Sequence, residues 1–380
     1  MQKSIYLDYA STTPVHPEVL KTMIPYFSEH FGNPESLHFF GIEAKKAIDE
    51  ARKQVADFLN CKSSEIIFCG SATEANNIAI IGFAKANRSR GTHIITSKFE
   101  HPSVLNTFKY LEKEGEFSVT YLDVDHDGFI SLEQLESAII KDTILVSIMA
   151  ANNEIGTIQP IQKIGEICKK HNVAFHTDAC QLAEYFPLDV EKLNASILTI
   201  NGSKLYGPKG IAALYIKQNT KIFPIIHGGE HEHGLRSGTH NVPGIVGLGK
   251  ACTIASLNSE KEAKRLTPLR DHLIHGLLKN IPNAFLNGSL KNRLPNNINI
   301  AIPNIESKEL LLHLDEAGIC ISVGSACGSG KNTPSHVLKS LGLKDDLCRS
   351  SIRISLGLYT TDKDIDYILE KLPEIVARLK

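Results

Sequence analysis

The sequence predicts an α/β protein in which helices cover both faces of a parallel sheet. Between residues 66 and 200, short apolar runs typical of strands alternate with longer segments of helical periodicity. This alternation is typical of parallel strands joined by crossover helices. Of the 380 residues, 42% are hydrophobic, which is enough for a large core and for about two domains.

The predicted elements follow in a regular order. Helical spacing of apolar residues predicts helices over residues 16–60, interrupted by a loop at 31–36. The predicted strands span 66–68, 92–96, 118–122, 144–150, 173–177 and 196–200, and the helices between them span 73–86, 103–113, 132–140 and 161–170. A long helix over about 242–262 leads into further strands at 297–301, 319–322 and 351–355, with a helix beginning at 334–335.

Charge and cysteine usage exclude several classes of function. Lys and Arg total 41 and Asp and Glu total 42, so we expect no nucleic-acid partner and no acidic membrane surface. No apolar run approaches the ~18 residues of a membrane span, and the first residues resemble neither a signal peptide nor a transit peptide. Eight cysteines without a CxxC pair are typical of reduced thiols. We therefore expect a cytoplasmic protein.

Two motif-like segments are better explained as ordinary structure. The segment from Asp123 to Ser131 resembles a calcium loop, but Gln134 stands where the bidentate Glu belongs, which favours a polar turn between strand and helix. The segment from Gly244 to Lys250 resembles a Walker A motif but continues with Ala251. Its glycines fall in a helical pattern, so we expect a closely packed helix.

A glycine-rich segment at 227–234 contains His227, His231 and His233. Histidines at this spacing are compatible with a metal site. A solvated or site-lining loop explains the same pattern, and we favour that interpretation over the metal site.

Three local patterns together match the requirements of pyridoxal 5′-phosphate. Small residues at 70–73 open a helix after a strand, and helix N-termini bind anions such as phosphate. Asp178 ends a strand at the edge where α/β proteins bind ligands, and a carboxylate keeps the pyridine nitrogen of the cofactor protonated. Lys204 follows the next strand, in a Gly- and Ser-rich turn where a desolvated amine suits Schiff-base chemistry.

A fourth segment, residues 322–331, places Cys327 among glycines and serines. Few apolar side chains are available to anchor this segment. We therefore expect the Cys327 thiol to be mobile and exposed, whereas structural cysteines are usually buried.

Several motifs in their order along the chain resemble the cysteine desulfurases of the NifS/IscS type. These motifs are YLDYASTTP at 6–14, FGNPES at 31–36, GSATEANN at 70–77, EH at 100–101, NNEIG at 152–156, DACQ at 178–181, KLYGPKG at 204–210, RSGT at 236–239, GSAC at 324–327 and IRISLG at 352–357. This family is class-V aminotransferase-like and belongs to the fold-type-I pyridoxal-phosphate transferases. The resemblance implies an aspartate-aminotransferase-like α/β fold with a mostly parallel, seven-stranded sheet. It implies a large cofactor-binding domain at 15–260 and a small α+β domain formed by 1–14 and 261–380, which carries the cysteine loop.

The resemblance also implies roles for individual residues. Lys204 would form the Schiff base, His101 would stack on the ring and carry protons, and Cys327 would be the nucleophile. The implied cofactor-binding residues are Ala72, Thr73, His101, Asn153, Asp178, Gln181, Asn201, Ser203, Lys204 and Thr239. The implied substrate-binding residues are Asn33, Asn153 and Arg353, with the Arg353 guanidinium clamping the substrate carboxylate.

This chain departs from the family pattern at several of these positions. Asn201 and Ser203 replace the common Ser and His before the lysine; we expect their amide and hydroxyl still to donate to phosphate. Cys180 stands where Thr is common. We expect Cys180 to face the cofactor pocket and Cys320 to lie in the core, so neither is suited to deliver sulfur outward.

The implied reaction removes sulfur from L-cysteine, giving L-alanine and a persulfide on Cys327. Sulfur would pass to acceptor proteins, such as an iron–sulfur scaffold, or into thio-cofactor or tRNA biosynthesis. Because Thr239 would reach the phosphate of the neighbouring subunit, the resemblance implies a homodimer. No resident metal is expected, although Cys327 could transiently ligate a cluster together with a scaffold. A selenocysteine lyase and a non-catalytic sulfur-transfer partner are the alternatives; the presence of both Lys204 and Cys327 argues against the second.

Overall fold

The computed structural model describes residues 4–324 and 333–379, and its centre is a seven-stranded sheet. The strands of this sheet are β2 (Ile66–Cys69), β3 (His93–Ser97), β4 (Ser118–Leu122), β5 (Thr143–Ser147), β6 (Ala174–Asp178), β7 (Ile197–Asn201) and β8 (Ala212–Ile216). Their order is β2-β8-β7-β6-β5-β3-β4. The pairs from β4 to β7 are parallel, and β8 is antiparallel to both β7 and β2. The predicted α/β class and the mostly parallel sheet are therefore confirmed.

Helices cover both faces of this sheet because successive strand residues point to opposite sides. Ile94 and Leu145 belong to one apolar cluster, whereas Ile95 and Val146 belong to the other. The α-helices up to residue 170 are α1 (Pro17–Met23), α2 (Pro25–Ser28), α3 (Phe39–Leu59), α4 (Ala72–Asn77), α5 (Phe83–Asn87), α6 (Pro102–Lys113), α7 (Leu132–Ala138) and α8 (Ile161–Lys170). One π-helical turn, Ile78–Gly82, joins α4 to α5.

Smaller sheets join the two ends of the chain. Strands β9 (Phe285–Leu286), β10 (Asn297–Ala301) and β12 (Ser351–Ser355) form an antiparallel sheet in the order β12-β10-β9. Strand β1 (Ile5–Tyr6) pairs in parallel with β11 (Ile319–Cys320). The remaining helices are α9 (Val242–Asn280), α10 (Ser307–Glu316), α11 (His336–Ser340), α12 (Asp345–Arg349) and α13 (Asp362–Leu379).

The structure corrects three details of the predicted elements. Helix α9 does not end near residue 262 but continues to Asn280, including Pro268. Strand β8, which had no predicted counterpart, is fully buried. Strand β5 ends at Ser147 rather than at 150, and Met149 and Ala151 beyond its end line the cavity described below.

The two motif-like segments have the ordinary structures expected of them. Residues 123–131 form a turn between β4 and α7, in which Asp125 Oδ1 accepts hydrogen bonds from the backbone of Asp127 and Phe129. The glycines at 244–249 lie in α9, where a Cβ on Gly249 would come within 2.8 Å of Ala51 Cα in α3. Within residues 4–324 and 333–379, no helix is both long and apolar enough to cross a membrane.

Candidate active site

Asp178 lies at the carboxyl end of β6 and is 7% exposed. Its Oδ2 accepts a hydrogen bond of 2.8 Å from Asn76 Nδ2, and its Oδ1 accepts one of 3.0 Å from the backbone of Cys180. A buried carboxylate needs such donors to offset its lost hydration. These contacts hold the Asp178 side chain in a fixed position in the wall of a cavity of about 230 Å³.

The start of α4 forms another wall of this cavity. Ser71 caps the helix by accepting a hydrogen bond of 3.2 Å from the Glu74 backbone, and the first helical residues are Ala72 and Thr73. The first amides of a helix lack partners within the helix and carry the positive end of its dipole. This wall is therefore suited to an anion.

Lys204 follows β7 at the end of a short 3₁₀ turn, Gly202–Lys204, and contacts the carbonyl oxygen of Ser11. Before the lysine, Asn201 Oδ1 accepts hydrogen bonds from the backbone and the hydroxyl of Ser203, at 3.2 and 3.3 Å. The two residues that replace the common family pattern therefore contact each other. The Asn201 oxygen is occupied by these bonds, which leaves its amide NH₂ as the donor.

His101 is the N-cap of α6, and its Nδ1 accepts a hydrogen bond of 3.1 Å from the Ser103 backbone. This bond places the proton of the neutral imidazole on Nε2. Burial lowers the pKa of His101, as does the nearby Lys204, while Asp178 opposes the shift. The neutral form is thus favoured, with an N–H available on a ring that lines the cavity.

Arg353 lies on β12 and is 1% exposed. Its Nη1 donates to the carbonyl oxygen of Asn153 at 3.0 Å, and its Nη2 donates to Asp8 Oδ1 at 2.8 Å. Its buried Nε has no hydrogen-bond partner among the described residues. The guanidinium is thus oriented at the cavity by protein contacts and retains an unused donor.

Most of the residues implied by the resemblance lie around this one cavity. The members among its lining residues are Ala72, Thr73, His101, Asn153, Asp178, Gln181, Asn201, Lys204 and Arg353. Ser203, Asn33 and Thr239 are not among the described lining residues, and Asn33 and Thr239 are exposed. Cys327 lies outside the described residues.

The competing cysteines differ from each other in environment. Cys180 lines the cavity as expected, and burial, together with Asp178, raises the pKa of its thiol well above the usual value. Cys320 is only partly buried, so the expectation of a core position was wrong. The strand β11 that carries it has two residues and, among the described strands, pairs with β1.

Three residues that support the site had no assigned role in the sequence interpretation. Asn76 donates to Asp178 and, at 2.9 Å, to Ser103 Oγ, which in turn lies 2.8 Å from His101 Nδ1. Asp8 holds Arg353 from the other end of the chain. The helical spacing of Asn76 four residues after Ala72 was the available signal for its orientation. No local pattern indicates the contact between Asp8 and Arg353.

The matched family model is that of the class-V aminotransferases, over residues 5–368. The cysteine desulfurase IscS of Dictyoglomus turgidum is 50% identical over 380 residues, covering 100% of this chain and 96% of the relative. The IscS of Methanosarcina thermophila is 50% identical over 378 residues, covering 100% of this chain and 93% of the relative.

Solved structures are similar over nearly the same extent. A NifS-like protein superposes with a TM-score of 0.93 at 40% identity, covering 99% of this chain and 100% of the other. The protein SspA, solved in complex with cysteine, superposes with a TM-score of 0.81 at 40% identity, covering 94% of this chain and 99% of the other.

Proposed function

The chain belongs to the class-V aminotransferase family and is a cysteine desulfurase, and we propose that Lys204, His101 and Cys327 carry out its reaction on L-cysteine. Membership in this family implies the use of pyridoxal 5′-phosphate. The observation that supports the assignment best is the placement of Asp178, Lys204 and the start of α4 around one cavity.

The donors and acceptors of the cavity fit this cofactor. Ala72 and Thr73 would hold its phosphate, Asp178 its ring nitrogen and Lys204 its aldehyde carbon. When bound, the cofactor supplies an electron sink that weakens the bonds at the substrate α-carbon. The two hydrogen bonds to Asp178 keep a carboxylate available in a buried wall, which is the condition for holding a protonated ring nitrogen.

The remaining polar groups would position the substrate and move protons. We propose that Arg353 binds the substrate carboxylate with Asn153 and Asn33 beside it, since its Nε is buried and unpartnered among the described residues. His101 would exchange a proton through Nε2, because Nδ1 is engaged by Ser103. Gln181 is held by a hydrogen bond of 2.9 Å to the carbonyl oxygen of Ala10 and would contact the ring substituents.

Cys327 is the proposed sulfur acceptor within the enzyme. Its thiolate attacks the substrate sulfur, so that an S–S bond forms while the substrate C–S bond breaks. The electron pair of that bond stays with the carbon fragment, which takes up a proton and leaves as L-alanine. Cys180 is poorly suited to this role, because burial raises the pKa of its thiol and disfavours the thiolate.

A Cys327→Ser variant tests this proposal, with Cys180→Ala as the matched control. The serine variant is expected to retain the cofactor and bind cysteine, yet release almost no sulfide and carry no persulfide by mass spectrometry. The Cys180→Ala variant is expected to release sulfide and to carry the persulfide, as the wild type does. If Cys327→Ser releases sulfide normally while Cys180→Ala does not, the nucleophile is misassigned.

We propose a homodimer as the active form. Helices α1 to α3 and their connections present large apolar side chains to solvent at Leu20, Ile24, Phe27, Phe31, Leu37, Phe39, Phe40 and Ile42. Exposed apolar surface of this extent is typical of a protein interface. Thr239 is exposed within one chain, as a residue that reaches a neighbouring subunit must be. Light scattering on the purified protein measures its molar mass in solution and therefore the number of subunits.

The names of the IscS relatives support a place in iron–sulfur biosynthesis. We propose that an iron–sulfur scaffold or a similar sulfur-acceptor protein receives the persulfide sulfur, and that the reaction takes place in the cytoplasm. The seven cysteines that the structure describes are free thiols, which supports a reducing compartment. We also propose the domain division at 15–260 against 1–14 plus 261–380, supported by the pairing of β1 with β11.

A further inference from the structure

Glu35, His231 and His240 converge from separate segments of the chain. Each offers one ligand atom, a carboxylate oxygen or a ring nitrogen, and these three atoms lie within 4.8 Å of one another. The imidazole rings of His231 and His240 are 5.3 Å apart between centroids. The tertiary structure thus groups His231 with the distant Glu35 and with His240, nine positions later, whereas His227 and His233 of the same glycine-rich segment are exposed.

His240 is oriented by a buried ion pair. Its Nε2 lies 2.7 Å from Glu232 Oε1, and Arg52 binds both oxygens of Glu232 at 2.6 and 2.7 Å. A carboxylate whose two oxygens are bound by the Arg52 guanidinium accepts hydrogen bonds, so the neutral His240 ring donates from Nε2 and has its lone pair on Nδ1.

The lone pair on His240 Nδ1 has no hydrogen-bond donor among the described residues. The His240 side chain is 10% exposed, and Nδ1 is buried without a hydrogen-bond partner among the described residues. Buried ring nitrogens normally have partners. A histidine that donates one N–H to a carboxylate while its other nitrogen is unpaired has the arrangement of a metal-binding histidine with its supporting carboxylate.

We propose that Glu35, His231 and His240 form a binding site for a divalent first-row transition metal ion, with Zn²⁺ the ion that their chemistry fits. Two imidazoles and one carboxylate are a common ligand set for zinc and leave a coordination position open. Tetrahedral zinc with bonds of about 2.0–2.1 Å places its ligand atoms about 3.4 Å apart. Closure to that distance requires small movements of the ligand side chains, of which Glu35 is exposed and His231 and His240 are partly exposed.

Such an ion would connect two segments that carry proposed site residues. Glu35 is two residues from Asn33, whose Oδ1 accepts a hydrogen bond of 3.0 Å from the Glu35 backbone. His240 directly follows Thr239. Bound metal would therefore restrict the positions of a proposed substrate-binding residue and a proposed cofactor-binding residue, and we expect it to raise the melting temperature of the enzyme.

Isothermal titration with ZnCl₂ tests the site on the cofactor-loaded protein after removal of metals by chelation. The Cys327→Ser background removes the proposed nucleophilic thiol as a competing zinc ligand, and no free cysteine is added. We expect one Zn²⁺ per chain. Changes to supporting residues of metal sites typically cost 10- to 100-fold in affinity, so Glu35→Gln and His231→Gln, which remove ligands, are each expected to weaken binding by at least ~10-fold.

His233→Gln is the matched control, because His233 is an exposed histidine of the same segment. It is expected to bind Zn²⁺ as the parent does, and anomalous diffraction at the zinc edge is expected to place the ion between the three ligands. Glu35 is exposed, so loss of binding in Glu35→Gln with an unchanged circular dichroism spectrum reports the ligand itself. Unweakened binding in both ligand variants, or equal weakening in His233→Gln, would overturn the proposal.

Discussion

Glu100 is buried beside the proposed active site, and its charge state predicts a specific dependence of stability on pH. The side chain is 0% exposed. Its Oε1 accepts hydrogen bonds from Ser97 Oγ at 2.7 Å and from the Met149 backbone at 2.9 Å, while Oε2 has no partner among the described residues. Burial raises the pKa of Glu100 to about 8, although the two hydrogen bonds oppose this shift.

The raised pKa determines how the free energy of unfolding changes with pH and over which pH range it changes. Below about pH 4.3, the ordinary pKa of Glu, the side chain is protonated in both states. Between about pH 4.3 and 8 the unfolded chain loses the proton while the folded protein keeps it. The free energy of unfolding then falls by about 1.4 kcal/mol per pH unit, or about 5 kcal/mol in all, and levels off above pH 8. Between pH 6 and 9 the loss is about 3 kcal/mol.

The Glu100→Gln variant removes this titration while keeping the shape of the side chain and an acceptor for Ser97 and Met149. The unfolding free energy of the variant relative to wild type is expected to increase by about 3 kcal/mol between pH 6 and 9. Urea unfolding at both pH values, with cofactor and protein concentrations fixed, measures this difference. Glu133→Gln, at an exposed position, is the control and is expected to show no such change. If the unfolding free energy of Glu100→Gln relative to wild type is the same at both pH values, the assignment of Glu100 as a neutral acid is refuted.

Three further variants test the site. Lys204→Ala is expected to abolish turnover and the visible absorbance that depends on covalent attachment of the cofactor; a retained band would show that another residue makes the attachment. His101→Gln is expected to keep the cofactor and lower turnover by ~10²–10⁴-fold, the usual contribution of acid–base catalysis, and unchanged turnover would remove His101 from the mechanism. Asn76→Ala leaves the buried Asp178 short of one donor, so urea unfolding of the apoprotein is expected to show an unfolding free energy lower by about 1–3 kcal/mol. Asn77→Ala is the control, because among the described residues the Asn77 amide bonds only to the Thr73 carbonyl oxygen. Its unfolding free energy is expected to stay within about 0.5 kcal/mol of wild type.

The strands and helices that position the cofactor site were predictable from the sequence. Strand β6 before Asp178, strand β7 before Lys204 and the helix start at Ala72 all have local apolar patterns with turn residues after or before them. Because the carboxyl ends of parallel strands meet at one edge of a sheet, local patterns are sufficient to place Asp178 and Lys204 together.

Local patterns failed where the structure depends on distant partners. Strand β8 (Ala212–Ile216) has five residues, and its place between β7 and β2 depends on pairing with both neighbours. Helix α9 was expected to end near residue 262, but its continuation packs against α13 and the antiparallel strands, which compensates for the internal proline.

The sequence alone determined the α/β class, the order of the central elements and the chemical types present in the site. The tertiary structure alone decided which side chains support one another: Asp8 with Arg353 across 345 positions, Asn76 with Asp178 across 102, and Glu35 with His231 and His240. The physical reason is that periodicity reports which face of an element is buried. Hydrogen bonds and ligand sets are instead formed by groups whose proximity exists only after the elements have packed.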